Sequence, residues 1–366
     1  MRINLTTRSN QMLAARTGVL SFILILIAQL CAERSLFGQS TGYVVTELSS
    51  EDPTQIPSKL NNLGDIVGRK VDNGGVMGAT LWGHSHKAKH LGVLPSGDYS
   101  SATSINDAGE ITGASNTGSA IVPFIWSDKK GLERLPLLGG DNSGQAVAIN
   151  KHGDVAGNSS GLNGSRAYLW SRKTGVHTLN ILPGGTYSRA HDINDSGEVA
   201  GLSNTPGGDH AVLWTKDGSI RDLGTLPGDL TSEALAINNG GDVVGYSNGP
   251  SGMRAFLWTS SSGMQALGIL PGGNSSRGLA INDSGVIVGT STSSSGDRAF
   301  IWTKETGMMD LNTATSADLD LVLFEAHSIN DKGQIIAMGG PVTSVGHEAC
   351  APAPPAAFLL TPARVK

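Results

Sequence analysis

Three histidines near the N-terminal third of the chain have the spacing of possible metal ligands. The segment "GHSHKAKH" contains His84, His86 and His90. Alternate residues of an extended segment point to the same side, and imidazole nitrogens are ligands that Zn²⁺ accepts. The segment itself supplies no carboxylate or cysteine to complete a ligand set. It is therefore a weak metal candidate, and a solvated polar loop is the favoured interpretation.

Two further histidines occupy one position of a repeated pattern described below. His191 and His327 stand two residues before an Ile-Asn pair, where other copies have Thr, Val or Leu, and Asp192 follows His191. A ligand site at the mouth of a channel could use such side chains. Packing between repeats is the favoured alternative, because most other occupants of the position are apolar.

The segment "GGPVTSVGHEACAPAPP" carries His347, Glu348 and Cys350 and is longer than its counterparts elsewhere. Long insertions in a tight scaffold are often functional, and a cysteine nucleophile would need a base oriented towards it. The Pro and Ala content instead favours an irregular connecting loop without a catalytic role. The sequence contains no G-x-S-x-G, H-E-x-x-H or phosphate-loop motif, so it predicts neither a common hydrolase nor a nucleotide site.

The histidines at 191 and 327 belong to a repeat that runs through the chain. Ile-Asn pairs with a Gly four residues after the Ile occur at Ile105, Ile149, Ile193, Ile237, Ile281 and Ile329, with a weaker copy at Leu60. All six tryptophans, from Trp82 to Trp302, are spaced 44 residues apart. A repeat of about 40 to 45 residues is typical of a β-propeller blade. One tryptophan per repeat indicates packing between blades rather than a sugar-binding platform.

Each repeat predicts four short strands. In one copy these are 275–282, 286–290, 297–303 and 308–312, and "NDSG" before the second strand is a hairpin turn in which Gly285 takes a positive φ. The chain begins its repeats with an unmatched outer strand, "YVVTELSS", and ends with an unmatched third strand, "AFLLT". The two remnants complete each other. We therefore predict an all-β, seven-bladed propeller over residues 43–362, in which the N-terminal strand closes the last blade, followed by a tail at 363–366.

The repeated unit resembles the HAF-family extracellular repeat. The resemblance rests on His210-Ala211-Val212, Arg254-Ala255-Phe256 and Arg298-Ala299-Phe300, followed by the Leu-Pro and Ile-Asn-Asp segments, and it covers nearly all of residues 43–361. It implies an exported bacterial propeller and brings no catalytic motif with it.

The N-terminus has the character of a secretory leader. Arg2, Arg8 and Arg16 precede an apolar run from Val19 to Leu30 that is too short to cross a bilayer comfortably. We expect a signal peptide over 1–32, with cleavage between 32 and 40, and no membrane span afterwards. Its removal takes three Arg, so the charge balance changes from 26 − 31 = −5 to 23 − 31 = −8. This acidity argues against nucleic acid as a partner. Cys350 is then left without a second cysteine, so no disulfide is expected.

The uniform blades favour a secreted or periplasmic binding or scaffold module, without cofactor and monomeric, for a glycan or protein surface. Candidate contacts are Arg166, His210, Arg254 and Arg298, which recur before the third strand, although their stems could equally cover apolar surface. The competing hypothesis is a polysaccharide hydrolase or lyase at the channel mouth, using carboxylates with His191 or His327.

Overall fold

The computed structural model describes residues 42–48, 54–72, 74–83, 87–162, 164–315, 321–341 and 355–363. Residues Tyr43–Pro362 form one compact unit. Within the described ranges the structure is almost entirely β. The single helix there is a four-residue 3-10 turn, Leu311–Ala314, and no described helix is long and apolar enough to span a membrane.

The described strands, in chain order, are β1 (Tyr43–Glu47), β2 (Ile56–Leu60), β3 (Ile66–Val71), β4 (Met77–Trp82), β5 (Ala88–Gly92), β6 (Ser100–Ile105), β7 (Ile111–Asn116), β8 (Ile121–Ser127), β9 (Gly131–Arg134), β10 (Asp141–Ile149), β11 (Val155–Gly161), β12 (Gly164–Ser171), β13 (Gly175–Thr178), β14 (Ser188–Ile193), β15 (Val199–Thr205), β16 (Gly208–Trp214), β17 (Ile220–Gly224), β18 (Thr231–Ile237), β19 (Val243–Gly249), β20 (Gly252–Thr259), β21 (Gly263–Gly268), β22 (Ser276–Ile281), β23 (Ile287–Ser293), β24 (Gly296–Thr303), β25 (Gly307–Asp310), β26 (Leu321–Ile329), β27 (Ile335–Pro341) and β28 (Ala356–Pro362).

These strands form seven four-stranded antiparallel sheets, and the prediction of a seven-bladed propeller is confirmed. Blades one to six each use four consecutive strands, from β2–β5 to β22–β25. Blade seven has the order β1-β28-β27-β26. Tyr43 pairs with Pro362 and Glu47 with Phe358. The N-terminal strand therefore closes the last blade, as predicted, and the ring has no unpaired junction.

The first strand of every blade is its innermost strand, and the inner strands of successive blades contact one another around the axis. Each inner strand has a bulge two residues before its final Ile or Leu, as in the shift between Ala190 and Asp192. His191 is therefore a bulge residue, and His327 is the equivalent residue of blade seven. A bulge changes the direction in which the neighbouring side chains point. The two-residue alternation of a strand therefore does not predict which way they face.

The turn after each inner strand is built by an asparagine. In blade six, the Asn282 side-chain oxygen accepts a hydrogen bond from the Val286 N–H at 2.9 Å, and Gly285 has φ +76°. The predicted turn chemistry is confirmed. In blades one to six a second glycine has a different reason, whereas blade seven has Ala337 at the equivalent position. In blade five, a Cβ on Gly245 would lie 1.9 Å from the Glu233 carbonyl oxygen. The second strand can therefore approach the inner strand only without a side chain at this position.

Buried serines join neighbouring blades at several junctions. Ser276, 1% exposed, accepts a hydrogen bond from the Ala255 N–H of the preceding blade at 3.0 Å. Ser291 accepts one from the Leu270 N–H at 3.0 Å. Equivalent bonds recur in other blades. These contacts explain how a chain so rich in serine buries its blade faces: the hydroxyls satisfy main-chain groups that the sheets leave unpaired.

In blade six the second strand extends to Ser293, three residues beyond its predicted end at 290, and the outer strand is shorter than predicted. It ends at Asp310 and not at Asn312, because the Asp310 side chain accepts from the Asn312 N–H and starts the 3-10 turn. The tryptophans were predicted to pack between blades, and the full burial of Trp214 agrees with this prediction. The leader, His84, His86, and the segment with His347, Glu348 and Cys350 lie outside the described residues.

Candidate functional site

The turn end of the axial channel contains a cavity of about 220 Å³. We call it the turn-side cavity; its lining comes from the ends of all seven inner strands, including the repeated Ile and Asn and the residue after each Asn. The Asn side chains form a closed ring around it. Each Nδ2 donates to the main-chain oxygen of the next Asn, at 2.9 to 3.3 Å, in the order Asn61, Asn106, Asn150, Asn194, Asn238, Asn282, Asn330 and back to Asn61.

A second ring lies one residue further along each turn. Here a side-chain oxygen accepts from the main-chain N–H of the preceding blade, as in Asn239 N–H to Asp283 at 2.8 Å. Lys151 interrupts the pattern, because an ammonium group cannot accept a hydrogen bond, and it pairs with Asp195 at 3.1 Å. The polar groups of this end are thus largely engaged in holding neighbouring blades together.

Asp192 belongs to the turn-side cavity. Its Oδ1 lies 3.6 Å from Lys59 Nζ, and its Oδ2 accepts from the Ile237 N–H at 3.3 Å. Lys59 is in blade one and Asp192 in blade four, so this ion pair crosses the channel. His191 is not part of this lining. The structure therefore separates Asp192 from the histidine with which the sequence pattern grouped it.

His191 belongs to a different group of side chains on the inner strands. Its Nε2 lies 2.7 Å from Oε1 of Glu233, on the inner strand of the next blade. The Tyr246 hydroxyl donates to the other carboxylate oxygen of Glu233. The Arg277 guanidinium lies over the Tyr246 ring, 4.9 Å from its centroid. We call His191, Glu233, Tyr246 and Arg277 the axial cluster; it draws on blades four, five and six.

The electrostatics of the axial cluster keep Glu233 ionised. Burial alone would raise its pKa, but the contacts with His191 and Tyr246 and the charge of Arg277 together lower it. Burial, reinforced by the hydrogen bond to Glu233, raises the pKa of Tyr246. Tyr246 is therefore a neutral donor at physiological pH, and Glu233 is a charged acceptor. The side chains of His191 and Glu233 remain 29% and 18% exposed, so a ligand can reach them.

A second tyrosine-carboxylate pair lies beside the axial cluster. The Tyr187 hydroxyl donates to Asp209, and this hydrogen bond is the main cause that raises the pKa of Tyr187 to about 12. The charges of Arg189 and Glu233 also act on Tyr187, so both lie near it. Arg189 is exposed. The cluster and its surroundings thus combine two tyrosines, two carboxylates, two arginines and a histidine.

His327, the other predicted channel histidine, has a different environment. Both of its ring nitrogens are inaccessible to solvent, and burial lowers its pKa to about 4. Glu325 Oε1 lies 3.9 Å from its Nδ1. The ring is therefore uncharged at neutral pH. This placement agrees with the packing alternative for His327, and a ligand role for it stays a prediction.

The four predicted rim residues each face a carboxylate of their own blade. Arg166 lies 2.9 Å from Asp141, His210 lies 2.9 Å from Asp222, Arg254 lies 2.6 Å from Asp229, and Arg298 lies 3.7 Å from Asp310. Asp141 and Asp229 are almost inaccessible, at 1% side-chain exposure each. These pairs give the recurring side chains a part in the fold, and a repeated rim contact with a ligand stays a prediction.

The predicted metal candidate is only partly described. His90 lies exposed on the outer strand of blade one, whereas His84 and His86 fall outside the described residues. Within the described part of the chain, no group of three or more His, Cys, Asp or Glu side chains could hold a metal ion.

Sequence reasoning missed Glu233, Tyr246 and Arg277, although a signal for two of them exists. The position four residues before each repeated Ile or Leu holds Ile56, Ser101, Gln145, Arg189, Glu233, Arg277 and Glu325. No other inner-strand position changes charge and size so freely between blades. Such variation within an otherwise uniform repeat marks residues that the fold does not prescribe.

Comparisons with known proteins show the fold alone. No family model matches the chain, and no curated protein matches it. A streptogramin B lyase is 14% identical, with a TM-score of 0.56 over 87% of this chain and 98% of that one. An oligogalacturonate lyase in complex with manganese is 13% identical, with a TM-score of 0.57 over 87% and 93%. The β-propeller domain of the Trilobed protease from Pyrococcus furiosus is 8% identical, with a TM-score of 0.53 over 87% and 93%.

Proposed function

We propose that this protein is an exported propeller, related to the HAF-type repeat proteins, that binds a polar glycan at the axial cluster. The observation that carries the proposal is the placement of charged groups where the fold does not need them. Blades one to three fill the position of Arg189, Glu233 and Arg277 with Ile56, Ser101 and Gln145. Partly burying charges costs free energy. Blades four to seven all carry a charge at this position, and three of these side chains, Glu233, Arg277 and Glu325, are partly buried, which supports a ligand site.

A glycan suits the site better than a flat protein surface. The cluster lies where the inner strands converge on the axis, and it offers hydroxyl, carboxylate, imidazole and guanidinium groups in a small space. Specific protein interfaces need about 800 Å² from each partner, whereas a few convergent polar groups are enough to orient a sugar. Capture of a protein instead of a sugar would contradict the proposal.

The test is binding of the purified protein to a broad panel of polysaccharides and cell-envelope glycans, followed by quantitative titration of each hit. Glu233→Gln removes the charge that organises His191 and Tyr246, so we expect it to weaken binding about tenfold or more, in line with a charge-assisted hydrogen bond. The matched control is Glu305→Gln, which alters an exposed carboxylate in an outer turn. Equal losses in both variants, or no glycan bound at all, would refute the assignment.

An acid-base enzyme is the second candidate, and the contact between His191 and Glu233 favours it. A carboxylate on one imidazole nitrogen orients the ring and leaves the other nitrogen, Nδ1, as a base. Tyr246, kept neutral, could return a proton. Both carboxylates at the site are occupied by tyrosines, which suits an elimination better than a hydrolysis with two free carboxylates. Incubating each bound glycan with the protein tests this: an unsaturated product that disappears in His191→Gln would support a lyase, and intact glycan would support binding alone.

A further inference from the structure

We propose that the glycan bound at the axial cluster carries carboxylates, and that Arg189 and Arg277 bind them. This inference rests on the proposed function. The Nε of Arg277 is inaccessible to solvent and has no hydrogen-bond partner among the described residues. Its guanidinium is held over the Tyr246 ring at 4.9 Å. Stacking fixes the plane of the guanidinium while leaving its remaining N–H groups free to donate.

Arg166 and Arg254 also have an inaccessible Nε without a hydrogen-bond partner in the described part of the chain, but their terminal nitrogens are paired. Arg166 and Arg254 each meet an almost inaccessible carboxylate of their own blade, at 2.9 and 2.6 Å. Within the described ranges, no hydrogen bond or ion pair engages the side chain of Arg189 or Arg277. An arginine with a structural role would therefore be expected to pair with a buried carboxylate, as Arg166 does. The two arginines at the channel instead have unused donors.

The nearby carboxylates contact other side chains, and neither of them forms an ion pair with Arg189 or Arg277 among the described residues. Glu233 contacts His191 through Oε1 and accepts from Tyr246 through Oε2. Asp209 accepts from Tyr187. The two guanidinium groups therefore lack an acceptor, and the planar fork of arginine matches a carboxylate with two parallel hydrogen bonds. A neutral sugar would supply only hydroxyl groups at these positions.

The positions of the two arginines also limit where the anionic groups lie. Arg189 and Arg277 occupy the same inner-strand position in blades four and six, with Glu233 between them in blade five. The negative charge of Glu233 repels an anion placed over the centre, and Glu325 does the same from blade seven. We therefore infer carboxylates on separate residues of the ligand, as in a polyuronate, rather than one dense cluster of charge.

The experiment compares four probes by calorimetry: oligomers of polygalacturonate, the same oligomers with their carboxylates methyl-esterified, a sulfated dextran and a neutral dextran. We expect the free acid to bind, and the ester to bind about tenfold to a hundredfold more weakly, the range expected for losing a charge-assisted hydrogen bond. Sulfated dextran binding as tightly as the free acid would overturn the assignment to carboxylates. Equal binding of acid and ester would overturn the role of charge.

Two variants test the residues. Arg277→Met keeps an apolar stem over Tyr246 and removes the donors, and Arg189→Gln removes the exposed charge; each should weaken binding of the free acid while leaving that of the ester unchanged. Arg221→Gln is the control, because Arg221 also lies over an aromatic ring, Trp258, at 5.7 Å, but on an outer strand. If both Arg277→Met and Arg189→Gln bind the free acid with unchanged affinity, the inference is overturned.

Failure of this inference and failure of the proposed function give different results. If the neutral dextran or the ester binds as well as the acid, and Glu233→Gln abolishes that binding, the axial cluster binds glycans without using carboxylates. If no probe and no glycan of the wider panel binds, both proposals fail.

Discussion

The side-chain amide of Asn330 donates to the main-chain oxygen of Asn61, 2.9 Å away, across 269 residues of sequence. This bond closes the asparagine ring, in which each blade reaches into the turn of the next. It links blade seven to blade one at the axis, whereas β1 pairs with β28 at the outer edge of blade seven. The ring gives the repeated Asn two roles, since its oxygen caps its own turn and its nitrogen joins two blades.

The two roles can be separated at Asn238. Its oxygen accepts from the Asp242 N–H at 2.9 Å, and its nitrogen donates to the Asn282 oxygen at 3.2 Å. Asn238→Asp keeps the acceptor and removes the donor. The Asn282 oxygen then keeps only the hydrogen bond from the Gly285 N–H, and the new carboxylate faces it, so we expect a loss of about 1 to 3 kcal/mol in the free energy of unfolding. Asn238→Ala should lose more, because the turn is also uncapped. Urea unfolding measures both.

Asn248→Ala is the control for Asn238, since Asn248 is an exposed asparagine of the same blade. If Asn238→Asp is as stable as the wild type, the hydrogen bond from Asn238 to Asn282 does not contribute to the free energy of unfolding.

The fold could be predicted well from the sequence because each repeat shows the same local signals for its turns and strand ends. Asn, Gly and Pro at fixed places specify turns and strand ends, and the unmatched strands at Tyr43 and Ala357 specify closure. The ring was not predictable in the same way. Its donor and acceptor lie one whole repeat apart, and a turn cap alone already explains every Asn.

The candidate site was less predictable for a related reason. His191 was recognised as an exception, but its partner Glu233 lies on another blade, and Tyr246 on a second strand. Contacts between residues that differ in every copy leave no periodic signal. Only the closed ring brings these side chains together.

The two classes of glycine that occur in blades one to six should respond differently to a methyl group. In Gly285→Ala the new Cβ meets no atom within 4 Å, so the expected cost is the strain of a positive φ, about 1 to 2 kcal/mol. In Gly245→Ala the Cβ would lie 1.9 Å from the Glu233 oxygen, which requires the inner strand to move. We expect Gly285→Ala to fold with a modestly lower melting temperature and Gly245→Ala to be recovered largely unfolded. Similar melting temperatures for the two variants would contradict the close approach of the strands.

His327 should make the protein sensitive to acid. Its pKa of about 4 in the folded state lies below the usual value of about 6.5. The unfolded chain therefore takes up a proton first as the pH falls. Stability from this group is complete above about pH 6.5 and is lost progressively towards pH 4.

Replacement by leucine isolates this effect, because blades five and six have Leu235 and Leu279 at the equivalent position. We expect His327→Leu to shift the acid unfolding midpoint to lower pH, and His152→Gln, at an exposed turn residue, to leave it in place. A midpoint unchanged in His327→Leu would show that other groups control acid unfolding.

Tyr43 should limit stability at the alkaline end. It is the first residue of the closing strand, is 6% exposed, and burial raises its pKa to about 12. The unfolded chain releases this proton at about pH 10, so the neutral phenol stabilises the fold fully below that pH, and the contribution is lost between about pH 10 and 12, by roughly 1.4 kcal/mol for each pH unit. Tyr43→Phe cannot ionise and should unfold at a higher pH than the wild type. Tyr99→Phe, at a half-buried tyrosine, controls for the loss of a hydroxyl. Because Tyr43 pairs with Pro362 at the closure, an unchanged alkaline midpoint in Tyr43→Phe would mean that the closing strand separates before the tyrosine ionises.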